Sequence, residues 1–475
     1  MADNQEYFES EDFREILEKY ETSVKSGQSL YMDADDLADI ADFYQYNGRM
    51  EEAENAIELA LQYNPDAIGP LLYKAREALA ASDFKKAREY AEHIKATDTL
   101  EALYFEGEIL ICEGRVEQAD QLFREQLKEM MPDEQMDYVY DVANVFSDYN
   151  IYDKAFEWMA RSQGDNSEDF KELMARILFG LGKYKDSERI FNELIDKNPY
   201  SKRYWNALAS AQFMNEDYGA AITSSEFATA IDPDDADSIL SKANSLFGLD
   251  NFESALDYFK KYSEKMPDDE FGYLHQGTCL INLERYEEAI SALEQAKDTA
   301  DKNSQYLPDI YQELAFAYNE LQKPDIALYY LDQTKTLDCD HINMTIVRGH
   351  VLLRSDRRDE AEKTYREALE MSGYAPKTML RIIVSLYDNQ HIKESYTLLK
   401  KFLAFVDKDW IDGYAYMALF CLDNKKYDEF LHYLRIAIDK NPKETRMVLN
   451  SYIPKEMELQ DYYEYISNKI KEQEL

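Results

Sequence analysis

An alanine or serine, replaced by phenylalanine at the last position, follows a polar turn about every 34 residues along most of this chain. Successive positions lie 32 to 38 residues apart. They are Ala53, Ala87, Ala119, Ala155, Ser187, Ala221, Ala255, Ala289, Ala327, Ala361, Ser395 and Phe430. The chain lacks alternating strand-like runs, so this period predicts stacked helix–turn–helix units, in which each unit buries its apolar face against its neighbours.

The segment Lys202–Pro233 shows one such unit clearly. Apolar residues at helical spacing predict two short amphipathic helices, and the polar residues 215–217 form the turn between them. Ala221 and Ala228 share one face of the second helix, which allows close packing against the first. Pro233 ends the second helix because proline has no N–H to continue the hydrogen bonds.

The recurring positions resemble the tetratricopeptide repeat family over roughly residues 34–444. The bulky fourth position is filled by Trp205, Tyr273 and Tyr311, the small eighth position by Ala41, Gly107, Ala143, Ala209, Ala243, Gly277, Ala315, Gly349 and Ala418, and the closing proline by Pro65, Pro199, Pro233, Pro267 and Pro442. The resemblance implies about twelve repeats in an all-α, right-handed superhelical solenoid, with capping helices at both ends.

Four segments are expected along this solenoid. An N-terminal capping helix occupies 1–33, repeats one to eight occupy 34–301, repeats nine to twelve occupy 302–444, and C-terminal capping helices occupy 445–475. The boundary near 302 rests on four extra residues after Ala296, within the polar run 298–303. Residues 163–166 are predicted to form a loop.

Composition limits the partners. The net charge is −42, and residues 1–170 hold 41 acidic against 15 basic side chains. Nucleic acid and anionic membranes would be repelled by such a chain, whereas a basic protein segment would be attracted. An alternative stays open at this point, namely that the acidity only keeps a long helical surface soluble.

The cytoplasm is the expected location. The first residues lack a basic and apolar signal pattern, and no run of 18 apolar residues occurs. Four widely separated cysteines favour free thiols in a reducing compartment.

No catalytic, cofactor or metal site is predicted. The sequence contains no phosphate-loop, dinucleotide or zincin pattern. The run Asp338–His341 contains potential metal ligands, but it falls in a turn between repeats, where hydrophilic residues are ordinary. The protein is therefore expected not to be an enzyme.

In the tetratricopeptide family the first helices line a concave groove, with repeat positions 2, 5, 9, 12 and 13 facing the ligand. An asparagine there can pair with a peptide unit, and aromatic neighbours can form pockets. Arg176 is an isolated cation at these positions, which could meet a ligand carboxylate or Glu172. The resemblance implies a peptide-binding groove containing Tyr104, Tyr140, Asn144, Arg176, Phe179, Asn206, Phe213, Leu240, Asn244, Phe247 and Leu274.

The family's clamp for a C-terminal carboxylate requires cations at positions 5 and 13 around an asparagine at position 9. Asn144 and Asn244 occupy position 9, but position 5 holds Tyr140 and Leu240. A carboxylate clamp is therefore not predicted.

The hypothesis from sequence is a non-enzymatic scaffold or adaptor that binds an extended or basic protein segment. Two alternatives stay open: a non-catalytic regulatory subunit of an enzyme complex, and a self-associating structural protein. The partner, the pathway and the oligomeric state do not follow from the sequence.

Overall fold

The fold is known from a computed structural model. The residues that it describes are 7–8, 10–26, 32–95, 99–132, 134–162, 167–454 and 457–471. These residues form α-helices joined by short connections, two 3-10 segments (Thr334–Thr336 and Leu459–Asp461) and no β-strand. The predicted all-α solenoid of helix pairs is confirmed. The loop predicted at 163–166 lies outside the described residues.

The chain forms two compact units, Met1–Pro233 and Asp234–Leu475. The helices of the first unit, α1 to α13, are Glu11–Ser26, Ala34–Tyr46, Met50–Tyr63, Ile68–Ala80, Phe84–Lys95, Thr99–Cys112, Val116–Glu129, Gln135–Asp148, Tyr152–Met159, Glu168–Gly180, Tyr184–Lys197, Lys202–Met214 and Tyr218–Ile231. Those of the second, α14 to α27, are Ala236–Gly248, Phe252–Lys265, Glu270–Asn282, Tyr286–Thr299, Leu307–Glu320, Pro324–Gln333, His341–Arg354, Arg358–Met371, Pro376–Asp388, Ile392–Phe405, Tyr414–Asp423, Tyr427–Lys440, Pro442–Leu449 and Tyr462–Lys471.

Within each unit, consecutive helices pack against each other in pairs. The first pair is α2 with α3 in the first unit and α14 with α15 in the second. Helix α1 packs ahead of the first pair, where the rings of Phe13 and Phe43 lie 5.3 Å apart. At the other end, α26 and α27 bury Leu449 and Ile466 completely. These terminal helices are the predicted caps. The boundary proposed between 301 and 302 stays a prediction.

Small side chains set the distance between paired helices. All twelve recurring positions, from Ala53 to Phe430, have no exposed surface. Position 8 of the first helices is equally crowded: a Cβ on Gly107 would lie 2.0 Å from Cζ of Phe123 in the partner helix. A larger side chain at either position would force the pair apart, because protein interiors are close-packed.

Each of the pairs turns through one residue with left-handed backbone geometry. The hydrogen bonds of the turn after α12 show why: the N–H of Asp217 donates to the carbonyl of Gln212 at 2.9 Å, which satisfies a carbonyl at the helix end. The residues with φ between 56° and 75° in these turns are Gly48, Ser82, Gly114, Asn150, Gly182, Glu216, Asp250, Glu284, Gln322, Asp356, Gln390 and Lys425.

Replacing Gly114 with valine is expected to destabilise the first unit by about 1–2 kcal/mol. Nothing lies within 4 Å of a Cβ at this position, so the cost arises from the backbone φ of 75° alone. Gly114→Asn is the matched control, since asparagine tolerates this conformation. Urea unfolding of the two variants measures the difference, and equal loss in both would contradict a conformational cause.

Within the part of the chain that is described, no helix combines the length and apolar character needed to cross a bilayer.

Candidate interaction surface on the first helices

First helices of neighbouring pairs contact each other, for example α2 with α4 in the first unit and α16 with α18 in the second. The side chains at positions 2, 5, 6, 9, 12 and 13 of these helices are here called the first-helix face, counted so that Asn206 is position 5 and Ser210 is position 9. The predicted groove residues belong to these positions, and the structure gives each of them a specific environment.

In the first unit, position 9 carries charge pairs between successive helices. Arg76 of α4 donates through Nε and Nη2 to the Glu108 carboxylate of α6, at 3.4 and 3.1 Å. Tyr149 donates to the same carboxylate at 2.9 Å. The Glu108 side chain is only 6% exposed, and its charge raises the pKa of Arg76. These polar groups are satisfied inside the protein.

Arg176 is engaged in the same way, which corrects the prediction that it is isolated. Its Nη2 donates to Oδ1 of Asn144 and lies 3.6 Å from the Asp148 carboxylate. Glu172, the predicted alternative neighbour, instead pairs with Arg203. The Asn144 amide oxygen is therefore already used by the protein.

Tyr140 is half-buried beside Arg176. Together with Asp169, Glu172 and Leu173 these residues line a cavity of about 10 Å³. That volume is about one water molecule, so this place does not receive a ligand side chain without rearrangement.

Tyr104 and Leu274, predicted to face the groove, are 8% and 4% exposed. Tyr104 stacks on Tyr138 and donates its hydroxyl proton to Asp141 at 2.8 Å. Leu274 belongs to the apolar core that also contains Leu293. Position 5 points into the inter-repeat core in these two helices, because the side chain there is large and apolar enough to fill it. Direct ligand contact does not fit their burial.

The three predicted phenylalanines at position 12 share one contact. Each is half-buried and packs its ring against the aromatic residue that opens the second helix, at centroid distances of 5.3 to 5.5 Å. The pairs are Phe179–Tyr184, Phe213–Tyr218 and Phe247–Phe252. These ring contacts stabilise the turn, and the phenylalanine rings are only partly accessible to solvent.

Asn206, Leu240 and Asn244 are half-buried on the first-helix face. Among the described residues, none forms a hydrogen bond with the Asn244 side chain. Its amide is thus available to a peptide, unlike that of Asn144.

Sequence reasoning missed the acidic side chains of α18. Asp309 and Glu313 lie at positions 2 and 6, the positions held by Phe271 and His275 in α16. Burial, together with the Asp309 charge, raises the pKa of Glu313 to about 7. Burial also raises the pKa of Asp309. The signal was present: two like charges four residues apart occupy one helix face, and carboxylates were numerous enough to hide them.

His275 lies among phenylalanine rings. It stacks on Phe259 at a centroid distance of 5.1 Å and contacts Phe271 at 4.1 Å and Phe247 at 6.0 Å. Its buried Nδ1 makes no hydrogen bond to the described residues. Burial lowers the pKa of His275 to about 4, so the imidazole is neutral at pH 7.

We expect His275 to remain neutral down to about pH 4, well below the value near 6.5 of an exposed imidazole. The unfolded chain binds the proton first, so stability falls as the pH drops from 6.5 towards 4. The loss is about 2 kcal/mol between pH 7 and pH 5. An NMR titration of the histidine ring protons tests this, with the His275→Gln variant assigning the signal and exposed His93 as the internal comparison. A midpoint above 6 for His275 would contradict the proposed burial effect.

The turn residues Asp338–His341 have a structural role. Asp340 accepts a hydrogen bond from the backbone N–H of Asn343 at 2.9 Å and so caps α20. Sγ of Cys339 lies 3.6 Å from Nδ1 of His341, and burial together with nearby aspartates raises the pKa of the thiol. No group of three or more potential ligands in the described residues is arranged to hold a metal ion.

Comparison with known families gives matches on several segments. Residues 214–296 match the family described as Anaphase-promoting complex, cyclosome, subunit 3. Residues 173–236, and separately 37–67 and 346–373, match tetratricopeptide repeat families. With the 34-residue period and the helix pairs, these matches identify the chain as a tetratricopeptide repeat protein. Such proteins generally mediate protein–protein interactions.

Individual relatives are distant or partial. The chain is 31% identical to the Protein STIP1 homolog of Dictyostelium discoideum over 128 residues, which are 27% of this chain and 22% of that protein. It is 21% identical to a TPR repeat-containing protein of Methanocaldococcus jannaschii over 399 residues, covering 76% and 67% of the two chains. The chain thus spans about a fifth of the length of the STIP1 homolog.

The solved structures that align with this chain are also distant in sequence. Yeast Tom70 aligns over 88% of this chain and 94% of its own, at 16% identity and a TM-score of 0.42. The Cut9 and Hcn1 hetero-tetramer of the APC/C aligns over 88% and 90%, at 15% identity and a TM-score of 0.34.

Proposed function

We propose that this protein is a non-catalytic scaffold or adaptor of the cytoplasm that binds an extended, basic segment of a partner protein. The surface that binds it is the first-helix face, chiefly that of the second unit. The proposal agrees with the general role of tetratricopeptide repeat proteins, and the chain's own polar side chains support its finer parts.

A contrast between Asn144 and Asn244 supports this proposal. In the first unit, Arg76 donates to Glu108, and Arg176 donates to Asn144 across neighbouring first helices. A ligand would have to break those bonds, and unmade buried hydrogen bonds are costly. In the second unit, Asn244 retains free hydrogen-bonding capacity towards a peptide.

The acidic residues of the second unit favour a basic ligand. Burial raises the pKa of Asp388 to about 6, as it raises the pKa of Glu313. The half-buried Glu313 carboxylate is therefore poorly solvated and, like the exposed Asp388 carboxylate, would be stabilised by an incoming cation. A positive segment would also be steered towards a chain of net charge −42.

The double variant Asn206→Ala/Asn244→Ala is expected to weaken partner binding by about tenfold, or 1.4 kcal/mol, with unchanged helicity. An asparagine amide carries a donor and an acceptor, which fit one peptide unit. Affinity capture from native lysate, followed by titration of the captured partner, measures the effect.

Asn55→Ala/Asn192→Ala is the matched control, because both asparagines are exposed on second helices. A partner that is held by wild type and by the control but lost by the first variant supports the proposal. Equal retention by all three proteins would move the binding surface away from the asparagines. A mass that grows with protein concentration, without any captured partner, would favour self-association instead.

A further inference from the structure

Three side chains of α18 form a stripe along one helix face. Asp309, Glu313 and Phe316 are spaced by four and three residues, so they lie above one another. Asp309 is exposed, Glu313 is half-buried, and the Phe316 ring is 39% exposed. Two carboxylates and an exposed ring thus share one surface.

Two further aromatic residues lie near the N-terminal end of α18. Helix α16 contacts α18, and its Phe271 holds the position equivalent to Asp309. The Phe271 ring lies 5.5 Å from the ring of Tyr306, which directly precedes α18. Both rings are half-buried and retain accessible surface. Phe316 therefore follows the carboxylates along α18, and Phe271 and Tyr306 provide two further accessible rings near the N-terminal end of this helix.

Among the described residues, no counter-charge pairs with either carboxylate. No described cation forms an ion pair with Asp309 or Glu313. Arg381 is occupied elsewhere, since it donates to Asn343 and lies 3.8 Å from Asp340. Like charges four residues apart on a helix destabilise it, and an incoming cation would reduce this repulsion.

We propose that the surface formed by Phe271, Tyr306, Asp309, Glu313 and Phe316, here the α18 subsite, binds one lysine or arginine side chain of the partner segment. This inference rests on the proposed function and specifies its ligand. The cationic head lies between the two carboxylates, and the aliphatic stem packs on the rings.

The chemistry of the α18 subsite selects a cation over other side chains. Ring faces attract an ammonium or guanidinium, and the attraction grows when water is excluded. Glutamate or phosphate would be repelled by Asp309 and Glu313. An apolar side chain would remove water from the two carboxylates without replacing their hydration, which is costly.

The test pans a phage-displayed library of random dodecapeptides on the intact protein. Enriched sequences are expected to share one lysine or arginine, and a labelled synthetic peptide of that sequence is then titrated by fluorescence anisotropy. Asp309→Asn/Glu313→Gln is expected to weaken its binding by about tenfold. Replacing the peptide's basic residue with norleucine should cause a similar loss in wild type and little further loss in the variant.

The matched control is Asp257→Asn/Glu264→Gln, which replaces the same two residue types at exposed positions of the second helix α15. It should bind within about twofold of wild type, and circular dichroism should show both variants folded. Equal weakening of peptide binding in the control would show that the loss arises from the lower net charge alone, and it would overturn the proposed subsite.

Two further outcomes separate the inference from the proposed function. Enriched peptides without a required basic residue, or unchanged binding to Asp309→Asn/Glu313→Gln, would overturn the α18 subsite while peptide binding stands. Failure to enrich any peptide would overturn peptide binding itself, and the subsite with it.

Discussion

Replacing Asp120 with alanine is expected to lower the free energy of unfolding by about 3–5 kcal/mol, the range for removing one partner of a buried charged network. The Asp120 side chain is only 7% exposed and joins α7 to α9. Its carboxylate accepts hydrogen bonds from Nε1 of Trp158 at 2.8 Å, Nε of Arg124 at 2.8 Å and Nζ of Lys154 at 3.3 Å. Trp158 has no exposed surface, so its N–H would be left buried and unpaired.

The pKa of Asp120 gives the same interaction a pH signature. Burial alone would raise this pKa, but the hydrogen bonds from Arg124 and Trp158 hold it below the ordinary value. The unfolded chain therefore takes up the proton first as the pH falls. The stabilisation by Asp120 is complete above the unfolded pKa near 4 and is lost as the pH falls through the folded value.

Urea unfolding followed by circular dichroism measures the loss in Asp120→Ala, and hydrogen exchange across residues 116–159 locates it. Asp153→Ala is the control, since Asp153 is an exposed aspartate in α9. Asp120→Asn should recover part of the stability because it can still accept from Trp158. A loss below 1 kcal/mol for Asp120→Ala would show that the network contributes little.

Ala255→Leu is expected to destabilise the second unit by about 1–3 kcal/mol through overpacking. Ala255 has no exposed surface and lies at the contact of α15 with its paired helix α14. Three additional carbon atoms cannot be placed there without moving one helix.

Lys260→Leu serves as the control for that substitution, because Lys260 is exposed on the same helix. Thermal unfolding should separate the two variants by several degrees. A neutral effect of Ala255→Leu would mean that the pair can separate freely, against the close approach seen in the structure.

The sequence predicted the skeleton of this protein well, because spacing and residue size determine it. The segment Lys202–Met214, its three-residue turn and Tyr218–Ile231 fall where the pattern placed them. The buried alanines followed from the same argument, since only small residues permit helices to pack so closely.

The interaction surface was harder to predict, and the reason is physical. A repeat position tells which way a side chain leaves the helix, but it does not tell which neighbour can reach it. Arg176 met Asn144 and Asp148 rather than Glu172, and Tyr104 turned into the core beside Tyr138. These outcomes depend on side chains 28 to 34 residues away in the sequence, which no local pattern contains.

The bonds at position 9 have a consequence for how such a chain can change over time. Arg76 requires the carboxylate one repeat ahead, and Arg176 requires the amide one repeat behind. Excising α6 and α7 would preserve the period of the array, yet it would set Arg76 beside Asn144, which carries no charge. Repeats of equal length are therefore not interchangeable. A whole repeat can be gained or lost by recombination without this cost only at junctions that do not separate two hydrogen-bonded residues of neighbouring repeats.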